Sequence, residues 1–111
     1  MKQGFEKKLG EKLRIAREYL DLTQEQVANL MKIGRDAIIR IEKGIRKVST
    51  EELISFSKIY NISVEELIND DRQPNYEQQA FARGFENLSE NDKKEILDLI
   101  KLKNELKNKG E

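Results

Sequence analysis

The stretch from Arg35 to Lys43 reads RDAIIRIEK. Wound as a helix at about 100° per residue, it gathers Ala37, Ile38 and Ile41 on one face. Arg35, Asp36, Ile39 and Lys43 fall on the other, with Arg40 at the flank, so a branched apolar side chain sits in the middle of a charged, outward surface. Together these groups can donate, accept and make apolar contact, and the question is what they meet. Residues 32–47 as a whole carry Lys32, Arg35, Arg40, Lys43, Arg46 and Lys47 against Asp36 and Glu42, a net of +4. Residues 48–70 carry Lys58 against Glu51, Glu52, Glu65, Glu66 and Asp70, a net of −4, although the whole chain is neutral. A basic patch beside an acidic one gives a directed electrostatic face.

Covalent and metal chemistry have little to work with. The chain holds neither cysteine nor histidine, which removes disulfides, the usual zinc ligands, the Ser-His and Cys-His pairs, and the commonest general base near neutral pH. The doublets Glu51-Glu52, Glu65-Glu66 and Asp70-Asp71 are sequence neighbours and so do not face each other on a helix. No catalytic residue, metal ligand or cofactor is expected, and the protein is not expected to be an enzyme. With 111 residues, 37% hydrophobic and 38% charged, the chain fits one modest core, or a small domain with an appendage. No apolar run approaches the roughly 20 residues that span a bilayer, and the N-terminus lacks the apolar centre of a signal peptide. A cytoplasmic protein without a membrane partner is expected.

The elements that would hold the charged face can be read in order. Phe5, Leu9, Leu13, Ala16 and Leu20 recur at helical spacing, with Lys7, Lys8, Glu11, Lys12, Arg14 and Glu18 mostly on the other side, which predicts an amphipathic first helix. Gly10 inside it suggests close packing against another element. Thr23 and Gln26 form a Thr-x-x-Gln capping box for a second helix, whose Val27, Leu30 and Met31 should face inward. Lys32-Ile33-Gly34 leaves room only for a turn, and Gly44 closes the third helix. A fourth helix follows Ser49, filled by Leu53, Ile54, Phe56, Ser57 and Tyr60. A short fifth is capped by Ser63 with Glu66, and Val64, Leu67 and Ile68 form its apolar side. The polar run from Asp70 to Asn75 holds the only proline. It marks a linker at 71–75 between a domain at 1–70 and a helical extension at 76–111. No strand-like alternation interrupts this pattern, so the fold class is all-α.

Two short helices joined by a tight turn are marginal alone. Packed on helices one, four and five, they would present the third helix outward at a steep angle, the geometry of a helix-turn-helix. A DNA major groove, about 12 Å wide, accepts one such helix. The stretch LTQEQVANLMKIGRDAIIRIEKGIRKVSTEELISFSKIYNISVEELI resembles the Cro/C1-type helix-turn-helix family, the XRE group of regulators. Leu22-Thr23-Gln24, Val27-Ala28, Arg35, Ile38, Arg40-Ile41-Glu42, Gly44, Ser49, Leu53 and the ending Ile62-Ser63-Val64-Glu65-Glu66-Leu67 carry the likeness over roughly residues 9–69. Two positions depart from it: Lys32 stands where the family commonly has glycine, and Gly34 where it commonly has serine or threonine. The resemblance implies a five-helix lambda-repressor-like domain that binds double-stranded DNA. It implies Gln24 as a phosphate contact and Arg35, Asp36 and Ile39 as base readers: arginine suits guanine O6 and N7, aspartate accepts from cytosine N4, and isoleucine rests on a thymine methyl. Arg40, Lys43, Arg46 and Lys47 would lie near phosphates, adding affinity but little sequence information. Asp36 could instead pair with Arg40, and Arg40 with Glu42 could serve packing.

Beyond the linker, Tyr76 to Phe85 shows a weaker helical pattern and Ser89-Glu90-Asn91-Asp92 begins a stronger one. There Ile96, Leu99, Ile100 and Leu106 form an apolar stripe interrupted by Lys103, with Leu97 and Leu102 beside it. The stripe could fold back on the domain, meet a protein partner, or pair with a second subunit. Dimerisation is favoured, because one short recognition helix reads few base pairs, whereas a two-fold dimer reads half-sites about 34 Å apart. The expected function is a sequence-specific, dimeric transcriptional repressor on a palindromic operator. The alternatives are an antitoxin that represses its own operon and a protein-interaction adaptor that has lost DNA binding.

Overall fold

The computed structural model describes residues 2–69 and 73–109, so residues 71 and 72 of the expected linker lie outside the described residues. Among the described residues seven helices follow one another: α1 (Lys2–Tyr19), α2 (Gln24–Met31), α3 (Arg35–Glu42), α4 (Thr50–Tyr60), α5 (Val64–Ile68), α6 (Tyr76–Glu86) and α7 (Glu90–Lys109). No strand occurs among the described residues.

Side-chain caps set most of the boundaries. Thr23 Oγ1 accepts from the Gln26 N–H at 3.0 Å while Gln26 Oε1 accepts from the Thr23 N–H at 2.8 Å, completing the expected box. Ser49 and Glu52 make a second full box at α4. At α5 only half forms: Ser63 Oγ accepts from the Glu66 N–H, and its hydroxyl then donates to the Glu66 carboxylate. Asn75 and Ser89 cap α6 and α7 in the same manner. Each cap satisfies an N–H that a helix start leaves without a partner.

One core joins α1 to α5. Leu13, Val27, Ile38, Ile41, Phe56, Tyr60, Ile62 and Leu67 are almost wholly removed from water. Helical spacing overcounts this core. Phe5, Leu30, Ile54 and Ile68, expected inside, are exposed, because these short helices bury a narrow stripe and the flanks of each apolar face stay in solvent. Lys12 errs the other way. It was expected outside but is only 3% exposed, with its ammonium donating to the carbonyls of Glu66 and Asn69. There it answers orphan carbonyls at the end of α5, where a cation also suits the helix dipole.

Gly10 shows why α1 tolerates a weak helix former. A Cβ built there would stand 2.3 Å from the Ile41 carbonyl oxygen and 2.8 Å from that of Glu42. Gly44, at φ +78°, likewise lies against the Lys7 backbone. The two glycines let α1 cross the end of α3 at backbone contact, which fixes how α3 leaves the body.

The two helices of the extension behave differently. α6 packs on α1 and α4: Tyr76 stacks on Tyr19 with ring centroids 5.6 Å apart, and Arg83 donates to the Lys58 and Ile59 carbonyls. Burial raises the Tyr76 phenol to about 12. α7 touches the rest near its start, where Lys93 Nζ lies 5.8 Å from the Phe85 ring centre. It does not fold back, and Leu97, Leu99, Ile100, Leu102 and Leu106 are exposed. The molecule measures 52 × 30 × 19 Å with a radius of gyration of 17.1 Å, against about 13 Å for a compact chain of this length.

Candidate nucleic-acid interface

The body grips α3 by its apolar face and its last turn. Ile38 and Ile41 are each 1% exposed. Glu42, at the end of the helix, is buried and receives two hydrogen bonds from Arg17 of α1, Nε to Oε2 at 2.8 Å and Nη2 to Oε1 at 3.1 Å. Arg17 Nη1 also donates to the Leu22 carbonyl at 2.9 Å. Gln24 Nε2, on the first residue of α2, donates to Glu42 Oε1 at 3.1 Å. A fork-to-fork pair of this kind is directional as well as strong. It ties the start of α2 and the end of α3 to the last turn of α1, and so fixes the angle between the two helices.

The opposite face is left bare. Arg35, Asp36, Arg40, Lys43 and Lys47 are exposed and Ile39 is half-buried among them. Among the described residues, none of these charged side chains takes part in an ion pair or a side-chain hydrogen bond. Asp36 therefore does not pair with Arg40, and the acid of α3 that does form a salt bridge, Glu42, takes Arg17 and not Arg40 as its partner. Arg46 differs from its basic neighbours. Its Nη1 and Nη2 donate to Glu52 Oε1 and Oε2 at 3.0 and 3.1 Å, and Nη1 also reaches the Lys47 carbonyl. That pair holds the Glu52 carboxyl below its ordinary range, chiefly through the hydrogen bonds from Arg46, and it anchors the loop that carries Lys47. With Glu42 answered by Arg17 and Arg46 by Glu52, the charge left facing water between residues 32 and 47 is Lys32, Arg35, Arg40, Lys43 and Lys47 against Asp36 alone.

The turn between α2 and α3 bears both departures from the family pattern. Lys32 adopts the left-handed conformation, φ 59° and ψ 37°, which glycine would take with less strain. Gly34 stands at the N-cap of α3 without a side-chain hydrogen bond. The turn closes all the same, through the Lys32 and Ile33 N–H groups to the carbonyls of Asn29 and Ala28.

The sequence reading gathers Arg35, Asp36, Ile39 and Lys43 on one face of α3 with Arg40 at its flank; in the structure these four charged side chains are exposed, Ile39 is half-buried, and Lys47 is exposed in the loop that follows. That reading missed Arg17, whose only outward sign was a charged residue bordering the apolar spacing of Leu13, Ala16 and Leu20. Among the described residues no acidic cluster could hold a metal ion, and no helix is long and apolar enough to cross a membrane.

A helix-turn-helix whose second helix projects a bare cationic face from a braced platform defines a DNA-binding module. Comparison with known proteins agrees: the family model described as Helix-turn-helix matches residues 13–67. The chain is 30% identical over 91 residues to the cryptic phage CTXphi transcriptional repressor RstR of Vibrio cholerae, spanning 80% of this chain and 81% of that one. It is 32% identical over 63 residues to the HTH-type transcriptional regulator ImmR of Bacillus subtilis, 57% of this chain and 50% of the relative. It is 30% identical over 67 residues to the antitoxin PezA of Streptococcus pneumoniae, 60% of this chain and 42% of the relative. No solved structure gives a significant match. The chain belongs to the XRE-type helix-turn-helix family and is a DNA-binding transcriptional regulator.

Proposed function

We propose that this regulator is a dimeric repressor that binds an inverted-repeat operator and blocks polymerase by occupying its DNA. The observation that carries the reading is the bare face of α3, with Arg35 and Asp36 exposed, Ile39 half-buried beside them, and none of its charged groups paired among the described residues. Arg35 reads guanine through its paired N–H groups, Asp36 accepts from cytosine, and Ile39 contacts a thymine methyl. Arg40, Lys43 and Lys47 meet phosphates on either side. Glu42 uses one N–H of the Gln24 amide, and the other is free to donate to a phosphate at the start of α2. Arg46, already neutralised by Glu52, keeps the loop in place and adds little charge of its own.

The likeness to RstR supports the repressor reading, because its aligned length exceeds the helix-turn-helix match and so reaches past that core. The antitoxin alternative draws on a likeness that spans 42% of the relative, and the adaptor alternative leaves the unpaired cations without a purpose. Selecting bound sequences from random duplex DNA tests the proposal. An inverted repeat with half-site centres about one helical turn, roughly 34 Å, apart is the expected result. Recovery of no motif, or of a single unrepeated half-site, would overturn it.

A further inference from the structure

Building on the dimeric reading above, we propose that α7 is the dimer seam and that it pairs with α7 of a second copy in antiparallel orientation. Three observations on α7 point to that occupant and that direction.

The first is the layering of the stripe. Ile96, Leu99, Lys103 and Leu106 follow the three-four spacing of a helix-pair seam, flanked by Ile100 on one side and Leu102 on the other. Leu99, Ile100, Leu102 and Leu106 are 48%, 42%, 51% and 61% exposed, an apolar band broken at Lys103 that none of the described elements covers. In a parallel, in-register pair the two copies of Lys103 would share one layer and place two buried ammonium groups side by side, as core positions there face their own equivalents. An antiparallel pair centred near residue 101 sets Lys103 against Leu99, whose surface its aliphatic stem can cover while the ammonium reaches water. The same centring sets Ile96 against Leu106 and brings Ile100 and Leu102 each against its own counterpart beside the two-fold axis.

Charge distribution is the second. Residues 90–98 carry Glu90, Asp92, Glu95 and Asp98 against Lys93 and Lys94, a net of −2, and residues 101–109 carry Lys101, Lys103, Lys107 and Lys109 against Glu105, a net of +3. Antiparallel packing lays each acidic half on a basic half, whereas parallel packing lays like on like. The third is continuity with a groove. Phe81, Phe85, Leu88 and Ile96 line an apolar recess where α6 meets α7, and antiparallel pairing brings the partner's Leu106 to its mouth.

The arrangement has a consequence for the DNA-binding bodies. At 1.5 Å per residue, the two Glu90 positions lie about 33 Å apart along the seam, where a parallel pair would bring them within about 10 Å, a helix-packing distance. The points at which α7 leaves the two bodies are thereby held apart, on opposite ends of the seam, and not side by side.

The chain's lack of cysteine makes the test direct. Full-length Ile96→Cys and Leu106→Cys proteins, one carrying a heavy-isotope label, are mixed, allowed to exchange subunits and oxidised, and the disulfides are identified by mass. Leu99→Cys with Lys103→Cys is run in the same manner as a second pair on more exposed positions. Mixed disulfides in both pairs, with homodisulfides absent, are expected, because like positions would stand beyond the Cα separation a disulfide spans. Homodisulfides in place of mixed ones would overturn the antiparallel seam and leave the dimer intact. A dimeric mass without cross-links in either pair would show that α7 is not the seam, and a monomeric mass for the parent chain would overturn this inference together with the dimeric reading.

Discussion

Replacing Lys47 by alanine removes one of the exposed, unpaired cations beside α3 and leaves its packing untouched. If Arg40, Lys43 and Lys47 each neutralise a phosphate in both half-sites, binding releases about six condensed counterions, and log K should fall with log salt at a slope near −5. Between 50 and 200 mM salt that slope costs about a thousandfold in affinity. Lys47→Ala should flatten the slope by about 2 for the dimer and weaken a cognate and a scrambled duplex alike. Arg35→Ala should behave differently: it should lose roughly 1–3 kcal/mol of discrimination at one base pair of each half-site and leave the slope nearly as it was. Arg46→Ala, whose charge Glu52 already answers, should change the slope least of the basic positions. Fluorescence anisotropy over a potassium chloride series, on cognate and scrambled duplexes, measures all of these. A slope close to zero, or a Lys47→Ala protein that loses base preference while Arg35→Ala keeps it, would refute the division between phosphate and base contacts.

Other substitutions test the scaffold. Gly10→Ala should destabilise by about 2 kcal/mol despite alanine's better helix propensity, because the Cβ meets the Ile41 carbonyl oxygen at 2.3 Å; chemical denaturation measures the loss, and an unchanged midpoint would contradict the close crossing of α1 and α3. Gly34→Ser should stabilise by roughly 1 kcal/mol, part from a cap and part from a stiffer unfolded chain, since its φ of −72° is ordinary and a Cβ there meets nothing within 4 Å; a thermal midpoint higher by about 4 °C is expected. Tyr60 is 1% exposed and its hydroxyl has no partner among the described residues, so Tyr60→Phe should gain about 1 kcal/mol at neutral pH. Burial raises Tyr60 well above the ordinary phenol value of 10 and Tyr76 to about 12. Their neutral forms therefore support the fold fully below pH 10, and that support fades as pH rises past 10. Tyr60→Phe should flatten the alkaline limb of a stability-versus-pH curve, and an identical limb in parent and variant would count against the buried hydroxyl.

How much of this could be read before any coordinates depends on whether the determinant was local. Thr23 with Gln26, and Ser63 with Glu66, are spelled out within four residues, and the caps form where the spacing put them. The bare face of α3 was legible for the same reason: Ile38 and Ile41 fix the buried side, and periodicity then assigns Arg35, Asp36, Ile39 and Lys43 to the other. Determinants that span the chain were not legible. Lys12 looked like one of several solvated lysines, and only the return of α5 past α1 puts two carbonyl oxygens in its reach. Arg17 was hidden likewise, since Glu42 is far along the chain and Arg40 was the nearer candidate. The overcounted core at Leu30 and Ile54 has the converse cause. Spacing shows which residues share a face but not how wide a stripe the neighbours cover.

The Arg17, Glu42 and Gln24 cluster bears most directly on how the fold serves recognition. A buried ion pair is poor value as a source of stability, since losing water from both charges offsets much of their attraction. An apolar pair of similar size would hold α1 against α3 about as well. What such a pair could not do is fix direction. Arg17 presents its donors in a planar fork, and Glu42 accepts from two of them while also accepting from Gln24, so a small rotation of α3 about its axis breaks several hydrogen bonds at once. That rotation is the motion that would swing Arg35, Asp36 and Ile39, the proposed base readers, away from base edges. Backbone contact at Gly10 and Gly44 supports the same crossing, since a side chain at either position would pry the segments apart. In this scaffold the polar cluster sets the angle of α3, and the surrounding apolar core supplies the force that keeps it there.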